Sequence, residues 1–394
     1  MILAVDPLFS EGVDGTVVAI VAVKAVVSFA VLLVSVMFMV WFERKLISDM
    51  QNRIGPNRAG RWGMLQTFAD GIKLFFKEDL LPAEADRRVF RLAPYLALVP
   101  AFLTFAIVPV GGVITIGDRS TRLQLADPPM GILFLLAMSS LAVYGVMLAG
   151  WSSGSKYPLL GSVRASAQMV SYEAALGLSV AAVVLVSESL VTSEIVASQS
   201  GGTLFSWNLF RLGFVPFAIF CLAATAELNR PPFDLVEAEQ ELVGGFHTEY
   251  SSLRFALFFL AEFMSTVVMS AVIVTLFLGG PAGPAPEGGF LGAVVPIGWF
   301  LAKMSIFLFT YVWLRATLPR LRYDQLMDLG WKRLIPLSLF WLLVLAGMRV
   351  DRRYGFAVFA GGLLLGLVML RALQVGRATA EAEAGPARAF EESS

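Results

Sequence analysis

The sequence predicts an all-α protein that crosses a lipid bilayer many times. Hydrophobic side chains make up 57% of the 394 residues and charged side chains only 15%, whereas soluble domains carry about 25% charged residues. The mean hydropathy of the chain is +0.74. Several apolar runs are also long enough to cross roughly 30 Å of hydrocarbon. Most of the chain therefore belongs in a membrane.

Nine apolar runs are candidates for the membrane-spanning helices. Six clear runs lie at 16–42, 94–114, 131–150, 252–278, 290–314 and 354–370. Three weaker runs lie at 172–187, 209–227 and 334–348. The last is near the lower limit of spanning length, which leaves a tilted or re-entrant segment open. We expect about nine transmembrane helices.

The distribution of basic residues predicts the orientation of these helices, because short cytoplasmic loops collect Lys and Arg. With the N-terminus outside and the C-terminus cytoplasmic, the inner segments carry 22 of the 30 basic residues and the outer segments 6. The predicted organisation is a single transmembrane domain over 1–375 and a disordered, Ala/Glu-rich tail over 376–394. Its cytoplasmic loops are 43–93, 151–171, 227–254 and 315–334.

The first cytoplasmic loop contains an amphipathic helix, predicted over 62–79. Apolar residues such as Leu65, Phe68 and Ile72 recur at helical spacing, with polar residues such as Asp70 opposite them. This pattern is typical of a helix lying along the membrane interface. A helix packed under a partner domain would show the same pattern, and the two interpretations are compatible.

Composition excludes several kinds of function. Thirty basic and thirty acidic residues balance, which argues against nucleic acid as a partner. Cys221 is the only cysteine and His247 the only histidine, so this chain alone supplies no disulfide framework, zinc site, four-thiolate iron–sulfur site or paired haem ligands. We interpret Cys221 as a packing residue and His247 as a hydrogen-bonding one, and expect any redox centres on other subunits.

The most unusual stretch is ELNRPPFDLVEAEQELVGGFHTEY, 227–250, which holds six carboxylates and one arginine, Arg230. A helix over 235–243 would place Glu239 in the middle of an apolar stripe, with Glu237 and Glu241 on the opposite side. Burial raises the pKa of a carboxyl group toward neutral pH, as a proton relay requires. Alternatively, Glu239 caps a neighbouring helix or pairs with Arg230, and the other two are solvated.

Further ionisable residues fall inside or at the ends of predicted spans, where they are costly and usually functional. Glu227 is expected at the inner end of its span and Glu173 at the start of 172–187. Glu262 and Lys303 fall at similar depths, so they would form a buried pair, functional or purely structural, if their two helices touch.

Lys24 lies some eight residues from the outer end of the first span. Its long side chain is expected to reach the membrane surface.

Four sequence blocks together resemble one family. They are WFERKLISDMQNRIGPNRAG (41–60), DGIKLFFKED (70–79), GWSSGSKYPLLGSVRASAQMVSYE (150–173) and ELNRPPFDLVEAEQELVGGFHTEYS (227–251). These blocks resemble the H subunit of proton-pumping NADH:quinone oxidoreductase, respiratory complex I, over about 1–375.

The resemblance implies a multi-pass protein of a bacterial cell membrane that walls the quinone chamber and contacts the other membrane-arm and peripheral-arm subunits. Quinone would be its substrate, with FMN and iron–sulfur clusters on partner subunits. By motif position, the residues implied to line or support the chamber and its entrance are Glu43, Arg44, Arg53, Asp70 and Phe68. The residues implied to form an acidic proton path are Glu173, Glu227, Glu237, Glu239, Glu241 and Glu249, with Arg230 as their cationic partner.

Two other interpretations remain open. A homologous component of a membrane-bound hydrogenase, or of a ferredoxin- or deazaflavin-linked complex, would share much of this pattern. A stand-alone ion-coupled transporter would instead use Lys24, Glu262 and Lys303 as substrate or ion ligands. The long inner loops and the lack of an internal repeat argue against the transporter.

Overall fold

The computed structural model describes residues 6–9, 12–116, 119–201, 203–234, 243–286, 289–366, 368 and 371. Its helices are α1 (Gly15–Met50), α2 (Gln66–Phe75), α3 (Arg87–Ala106), α4 (Gly131–Ser152), α5 (Lys156–Ser187), α6 (Thr192–Ser198), α7 (Asn208–Arg211), α8 (Phe214–Glu227), α9 (Ser252–Phe277), α10 (Gly289–Thr317), α11 (Tyr323–Leu329) and α12 (Ile335–Val350). A further helix covers 352–366. The two strands are β1 (Val113–Ile116) and β2 (Arg119–Arg122).

Seven helices in the described part of the chain are long and apolar enough to cross a membrane. They are Gly15–Met50, Arg87–Ala106, Gly131–Ser152, Lys156–Ser187, Ser252–Phe277, Leu291–Thr317 and Tyr323–Val350. The predicted helical, polytopic membrane fold is therefore confirmed. The shorter apolar helix α8 and the helix over 352–366 correspond to the other two predicted spans, and the count of nine remains a prediction.

Several predicted spans have different boundaries in the structure. Helix α3 begins at Arg87, where the side chain of Asp86 caps it, and ends at Ala106 rather than near 114. Pro109, Gly111 and Gly112 follow, and such residues do not favour a continuing helix. The run predicted at 172–187 is the second half of α5, which starts at Lys156.

The first half of α5 escaped prediction because its polar side chains are buried against other helices. Ser162 and Gln168 are fully buried and Ser171 is nearly so. A hydropathy pattern counts such residues as loop, although the fold buries them. Glu173 therefore lies in the middle of a 32-residue helix and not at its start.

Helix α1 is also longer than its apolar run, since its 36 residues extend to Met50. Glu43 and Arg44 consequently lie on this helix and not in the loop predicted from residue 43. The amphipathic helix predicted over 62–79 is shorter, because α2 covers only Gln66–Phe75. A 3-10 turn, Arg61–Gly63, precedes it.

Between α3 and α4 the chain forms a β-hairpin, an addition to the predicted all-α fold. Strands β1 and β2 pair antiparallel, with Val113 opposite Arg122 and Ile116 opposite Arg119. The hairpin packs beside the 3-10 turn Pro7–Phe9. We call this the hairpin side of the bundle; on the opposite, loop side, α1, α8 and α10 end and α3, α5 and α9 begin.

Helix packing on the loop side depends on the absence of side chains at two glycines. A Cβ atom on Gly145 of α4 would lie 2.6 Å from the backbone nitrogen of Ala97 in α3. A Cβ atom on Gly161 of α5 would lie 2.9 Å from the backbone of Gly245. Small residues let backbones approach closely in membrane bundles, so α4 and α5 contact their neighbours directly.

The chain divides into two compact units, residues 1–338 and 339–394. In the first, a buried core near the loop side includes Phe90 stacked on Tyr250 at a centroid distance of 3.9 Å. Within the second, Phe340 stacks with Phe359 at 6.3 Å. All the site residues described below lie in the first unit.

Candidate functional site

Four charged side chains from distant parts of the chain meet inside the bundle near its loop side. Arg230 Nη1 contacts Glu43 Oε2 at 3.1 Å, and its Nε contacts Glu262 Oε1 at 3.2 Å. Arg315 contacts the other carboxylate oxygen of Glu43. We call these four residues, Arg315, Glu43, Arg230 and Glu262, the ionic cluster. Positive and negative charges alternate along it, so the cluster has no net charge.

The two central members of the ionic cluster are the most buried. Glu43 is 6% exposed and Arg230 is 3% exposed, and the Arg230 guanidinium also lies 4.3 Å above the ring of Phe263. Burying a charge is expensive unless it is paired and hydrogen-bonded. The alternating arrangement therefore allows ionised groups to persist in this position.

The segment that follows α8 brings Arg230 to this point. Arg230 N donates to Thr225 O at 3.3 Å, and Phe233 N donates to Arg230 O at 2.9 Å. Asp234 is buried and contacts Arg320 at 3.0 Å. The segment is thus held between the end of α8 and the chain that follows α10.

Deeper in the bundle, two adjacent serines of α4 contact two carboxylates on different helices. Ser139 donates to Glu227 at the end of α8, and Ser140 donates to Glu173 in the middle of α5. Consecutive helical residues point about 100° apart, so one serine pair can serve two neighbouring helices. We call these two carboxylates the serine-held pair.

Two open cavities adjoin these groups, and the volumes given for them include space open to solvent. The larger, about 860 Å³, is lined by charged members of both sets, including Glu227, Arg230, Glu262 and Arg315. The smaller, about 520 Å³, extends between α3, α4 and α9 and is mostly apolar. Glu227 lines both, and its Oε2 atom has no hydrogen-bond partner within the described residues. The described contacts therefore leave one buried carboxylate oxygen of Glu227 without a donor.

The residues predicted for the chamber and its entrance fall into separate places. Arg44 Nη1 contacts Asp70 Oδ2 at 2.6 Å and joins α1 to α2, with both side chains partly exposed. Phe68 is 54% exposed on the outer face of α2. Arg53 lies in the loop that follows α1, where its Nε donates to Gln51 Oε1. Only Glu43 of this predicted group enters the ionic cluster.

The predicted proton-path residues are only partly brought together. Glu173 and Glu227 form the serine-held pair, and Arg230 lies in the ionic cluster. Glu249 is half-buried beyond the 3-10 turn Gly245–His247. Glu237, Glu239 and Glu241, with the helix predicted over 235–243, lie outside the described residues except for Val243.

The predicted pair of Glu262 and Lys303 is wrong. Lys303 Nζ instead donates to the carbonyls of Leu278, Gly280 and Ala282 at 2.7–2.9 Å. These carbonyls lie just beyond the C-terminal end of α9, where free acceptors attract a cation. Glu262 contacts Arg230, as described above.

Lys24 reaches toward the hairpin side, where its ammonium group ends in a partly buried contact. Its Nζ contacts Asp6 at 3.0 Å and Thr121 at 2.9 Å. Asp127 contacts Arg122 at 2.8 Å nearby. We call Asp6, Lys24, Thr121, Arg122 and Asp127 the hairpin network.

Sequence reasoning missed Arg315, Ser139 and Ser140 as site residues. Arg315 is the first charged residue after a long apolar run and resembles an ordinary boundary arginine. The two serines did carry a signal, since adjacent hydroxyl groups interrupt the apolar run 131–150. Their partners, however, become visible only in the folded bundle.

Comparison with known proteins places this arrangement in a family. The family model described as NADH dehydrogenase matches residues 23–346. The H subunit of NADH-quinone oxidoreductase from Frankia alni is 51% identical over 362 residues, which cover 90% of this chain and 79% of that protein. The chain belongs to the family of NADH-quinone oxidoreductase H subunits.

Two further relatives with the same name agree with this assignment. The protein from Frankia casuarinae is 51% identical over 358 residues, covering 88% of this chain and 78% of the relative. The one from Streptomyces avermitilis is 49% identical over 363 residues, covering 89% and 79%. All the residues of the ionic cluster and the serine-held pair lie inside the matched range. Within the described residues, no group of three or more His, Cys, Asp or Glu side chains could hold a metal ion.

Proposed function

We propose that this chain is the membrane component of respiratory complex I that walls the quinone-access chamber and couples quinone reduction to proton translocation. The observation that carries the proposal is the larger cavity, in which Glu227 and Glu262 line one space with Arg230 and Arg315. Family membership supports the enzyme class. The mixture of ion-paired and incompletely hydrogen-bonded carboxylates supports proton transfer as the local chemistry.

The chemistry of the reaction explains why such groups are needed. Reduction of a quinone to a quinol takes up two electrons and two protons. Charge that develops transiently in a region of low dielectric interacts strongly with nearby ionisable groups. Carboxylates beside such a region would change their proton affinity when electrons arrive. A connected series of them can convert electron transfer into proton displacement.

The arrangement of the two charged sets supports an order for this path. The ionic cluster would respond first, because Glu43 on α1 and Glu262 on α9 share Arg230 and a change at one carboxylate alters the field at the other. Glu227 lines the same cavity and would pass the response to Glu173. In this proposal Glu237, Glu239, Glu241 and Glu249 extend the path on the cytoplasmic side.

The entrance for quinone is proposed at α2. Its outward face carries exposed apolar side chains, including Phe68, Ile72 and Phe75, and its inner side is joined to α1 through the Arg44–Asp70 pair. An apolar face of this kind fits the membrane interface, which a hydrophobic quinone must cross. In the same proposal Glu43, Arg44, Arg53, Asp70 and Phe68 support the chamber and its entrance.

The remaining features follow from the same proposal. The chain has nine transmembrane helices, a cytoplasmic loop side and an external hairpin side, and it lies in the bacterial cell membrane. Its single transmembrane domain covers 1–375. Flavin and iron–sulfur clusters are held by partner subunits of the peripheral arm, and quinone is the substrate.

Purification of the tagged chain in mild detergent tests this function. Flavin- and iron–sulfur-containing polypeptides should copurify with inhibitor-sensitive NADH:quinone activity. Isolation with hydrogenase or deazaflavin-linked partners would favour the homologous complexes. A lone, active carrier would contradict the proposal.

A further inference from the structure

Helix α2 is tied to the bundle at both ends. Near its start, Thr67 Oγ1 donates to Met37 O of α1 at 3.2 Å, and Asp70 contacts Arg44. Beyond its end, the chain contacts the beginning of α9. The helix therefore bridges α1 and α9 and leaves its apolar face exposed.

The contacts at the second end involve three residues of one short segment. Ser252 Oγ lies 3.0 Å from Leu74 O and 2.8 Å from Lys77 O. Ser251 Oγ accepts a hydrogen bond from Leu80 N at 2.8 Å, and Arg254 contacts Asp79 at 2.9 Å. We call these contacts between 251–254 and 74–80 the α2–α9 clamp.

Ser252 is the most constrained member of the clamp. Its φ angle is +54°, a region that side chains other than Gly, Asn and Asp rarely adopt. It is also only 4% exposed. The last carbonyls of a helix have no partner within that helix, so the buried hydroxyl supplies a donor to the end of α2 that water cannot easily replace.

The clamp also connects α2 to the ionic cluster. Glu262 lies ten residues after Ser252 on the same helix, roughly 15 Å further along its axis. Its carboxylate contacts Arg230. The other tether of α2 leads to α1, which carries Glu43. Both helices that contact α2 therefore also carry the two carboxylates of the ionic cluster.

We propose that the α2–α9 clamp fixes the position of α2 and thereby sets access of quinone to the chamber, with Ser252 as its central positioning residue. This inference rests on the proposed function of α2 as the border of the entrance. Loss of the clamp should loosen the end of α2 and weaken apparent quinone affinity. The chemical step should be unaffected, because Ser252 does not line either described cavity.

Two variants of Ser252 in the intact membrane-bound complex separate the hydroxyl group from the backbone conformation. Ser252→Ala removes the hydroxyl and keeps a side chain at positive φ, whereas Ser252→Gly removes the hydroxyl and relieves that conformation. Ser270→Ala is the matched control, because Ser270 is buried on the same helix and, among the described residues, its hydroxyl bonds only to Thr266 O of that helix.

The measurements are amide hydrogen exchange over 66–80 and the KM and kcat for a short-chain quinone. Both Ser252 variants should raise the exchange rate and the KM roughly two- to tenfold, as loss of one hydrogen bond predicts, with kcat unchanged. The control should change neither quantity.

Three results would overturn the inference. Unchanged amide hydrogen exchange over 66–80 in both variants would show that the α2–α9 clamp does not fix the position of α2. A defect in Ser252→Ala that is absent in Ser252→Gly would assign the effect to backbone strain. Faster exchange with an unchanged KM would separate the clamp from quinone access.

Phe68→Glu on the exposed face of α2 distinguishes failure of the clamp from failure of the entrance itself. It should raise the KM without depending on Ser252. An unchanged KM in Phe68→Glu would contradict the entrance assignment.

Discussion

The ionic cluster and the hairpin network are built from the same kinds of side chain but differ in what surrounds them. Three of the four residues in the ionic cluster line the larger cavity, whereas no residue of the hairpin network lines either cavity described above. In the hairpin network, Asp6 accepts hydrogen bonds from Lys24, Thr121 and two backbone N–H groups. Charged groups whose hydrogen bonds are all made within the protein stabilise the fold. Charged groups beside a cavity can also interact with a molecule or charge that enters it.

The two regions also differ in how their acids would tolerate loss of a cation. Asp127 contacts Arg122, and it also accepts from Ser193 at 2.5 Å and from Gln124 at 3.2 Å. Glu43 has only arginine partners in the described contacts. In the hairpin network, Asp127 would keep neutral hydrogen-bond donors if it lost Arg122. In the ionic cluster, Glu43 depends on the positive charges of its arginine partners.

The largest expected effect is the difference in stability between two variants, each of which removes one arginine from one of the two regions. Arg230→Met should destabilise the assembled complex by about 3–5 kcal/mol, because it leaves the buried carboxylate of Glu43 without its most buried partner. Arg122→Met should cost much less, since neutral donors remain around Asp127. Thermal inactivation of NADH:quinone activity and native gels of the complex measure both. Equal losses for the two variants would contradict the distinction.

An intermediate effect is expected at the serine-held pair. Ser139→Ala and Ser140→Ala each remove a hydrogen bond to a carboxylate, so proton-coupled turnover should fall roughly two- to tenfold while the complex still assembles. Ser179→Ala is a suitable control, because its hydroxyl bonds within α5. Turnover and proton translocation in reconstituted vesicles provide the test. Normal rates in both variants would show that the two serines have no role in the proposed proton path.

The smallest effect is expected in the hairpin network at low pH. Burial alone would raise the pKa of Asp6, but hydrogen bonds from Lys24, Leu8 N–H and Thr121, with the Lys24 charge, lower it below 3.8 overall. A lowered folded-state pKa contributes stability above the unfolded pKa, and this contribution is lost as pH falls through the folded pKa.

Above the unfolded pKa, the melting temperature of wild type should exceed that of Asp6→Asn by an amount that does not vary with pH. The difference should shrink as the pH is lowered from there to about 3. Asp14→Asn is the control, because Asp14 pairs with Arg119 but is 54% exposed. A difference between wild type and Asp6→Asn that does not vary with pH would contradict this account of Asp6.

The sequence predicted the membrane fold well because hydropathy depends on local composition. It predicted helix boundaries less well where polar side chains are buried by tertiary contacts, as at Ser162 and Gln168 in α5. It identified Glu43, Arg230 and Glu262 as important, but it could not pair them. Glu43 and Arg230 are 187 residues apart in the sequence, and Glu43 and Arg315 are 272 apart. The local sequence pattern does not predict contacts at such separations.

The error at Lys303 has a similar physical cause. Depth along two neighbouring helices suggested a partner in Glu262, but a lysine can also be satisfied by backbone carbonyls at a helix end. Three such carbonyls follow α9. Their arrangement depends on the turn at 278–282, where Gly279 and Gly280 have positive φ.

The central claim is that Glu227, beside both cavities, changes its protonation when quinone is reduced. Infrared difference spectroscopy of the intact complex, recorded between oxidised and reduced quinone, measures this directly. We predict a carboxyl signal in wild type that disappears in Glu227→Gln and persists in the control Asp127→Asn. An identical carboxyl signal in wild type and Glu227→Gln would contradict the account.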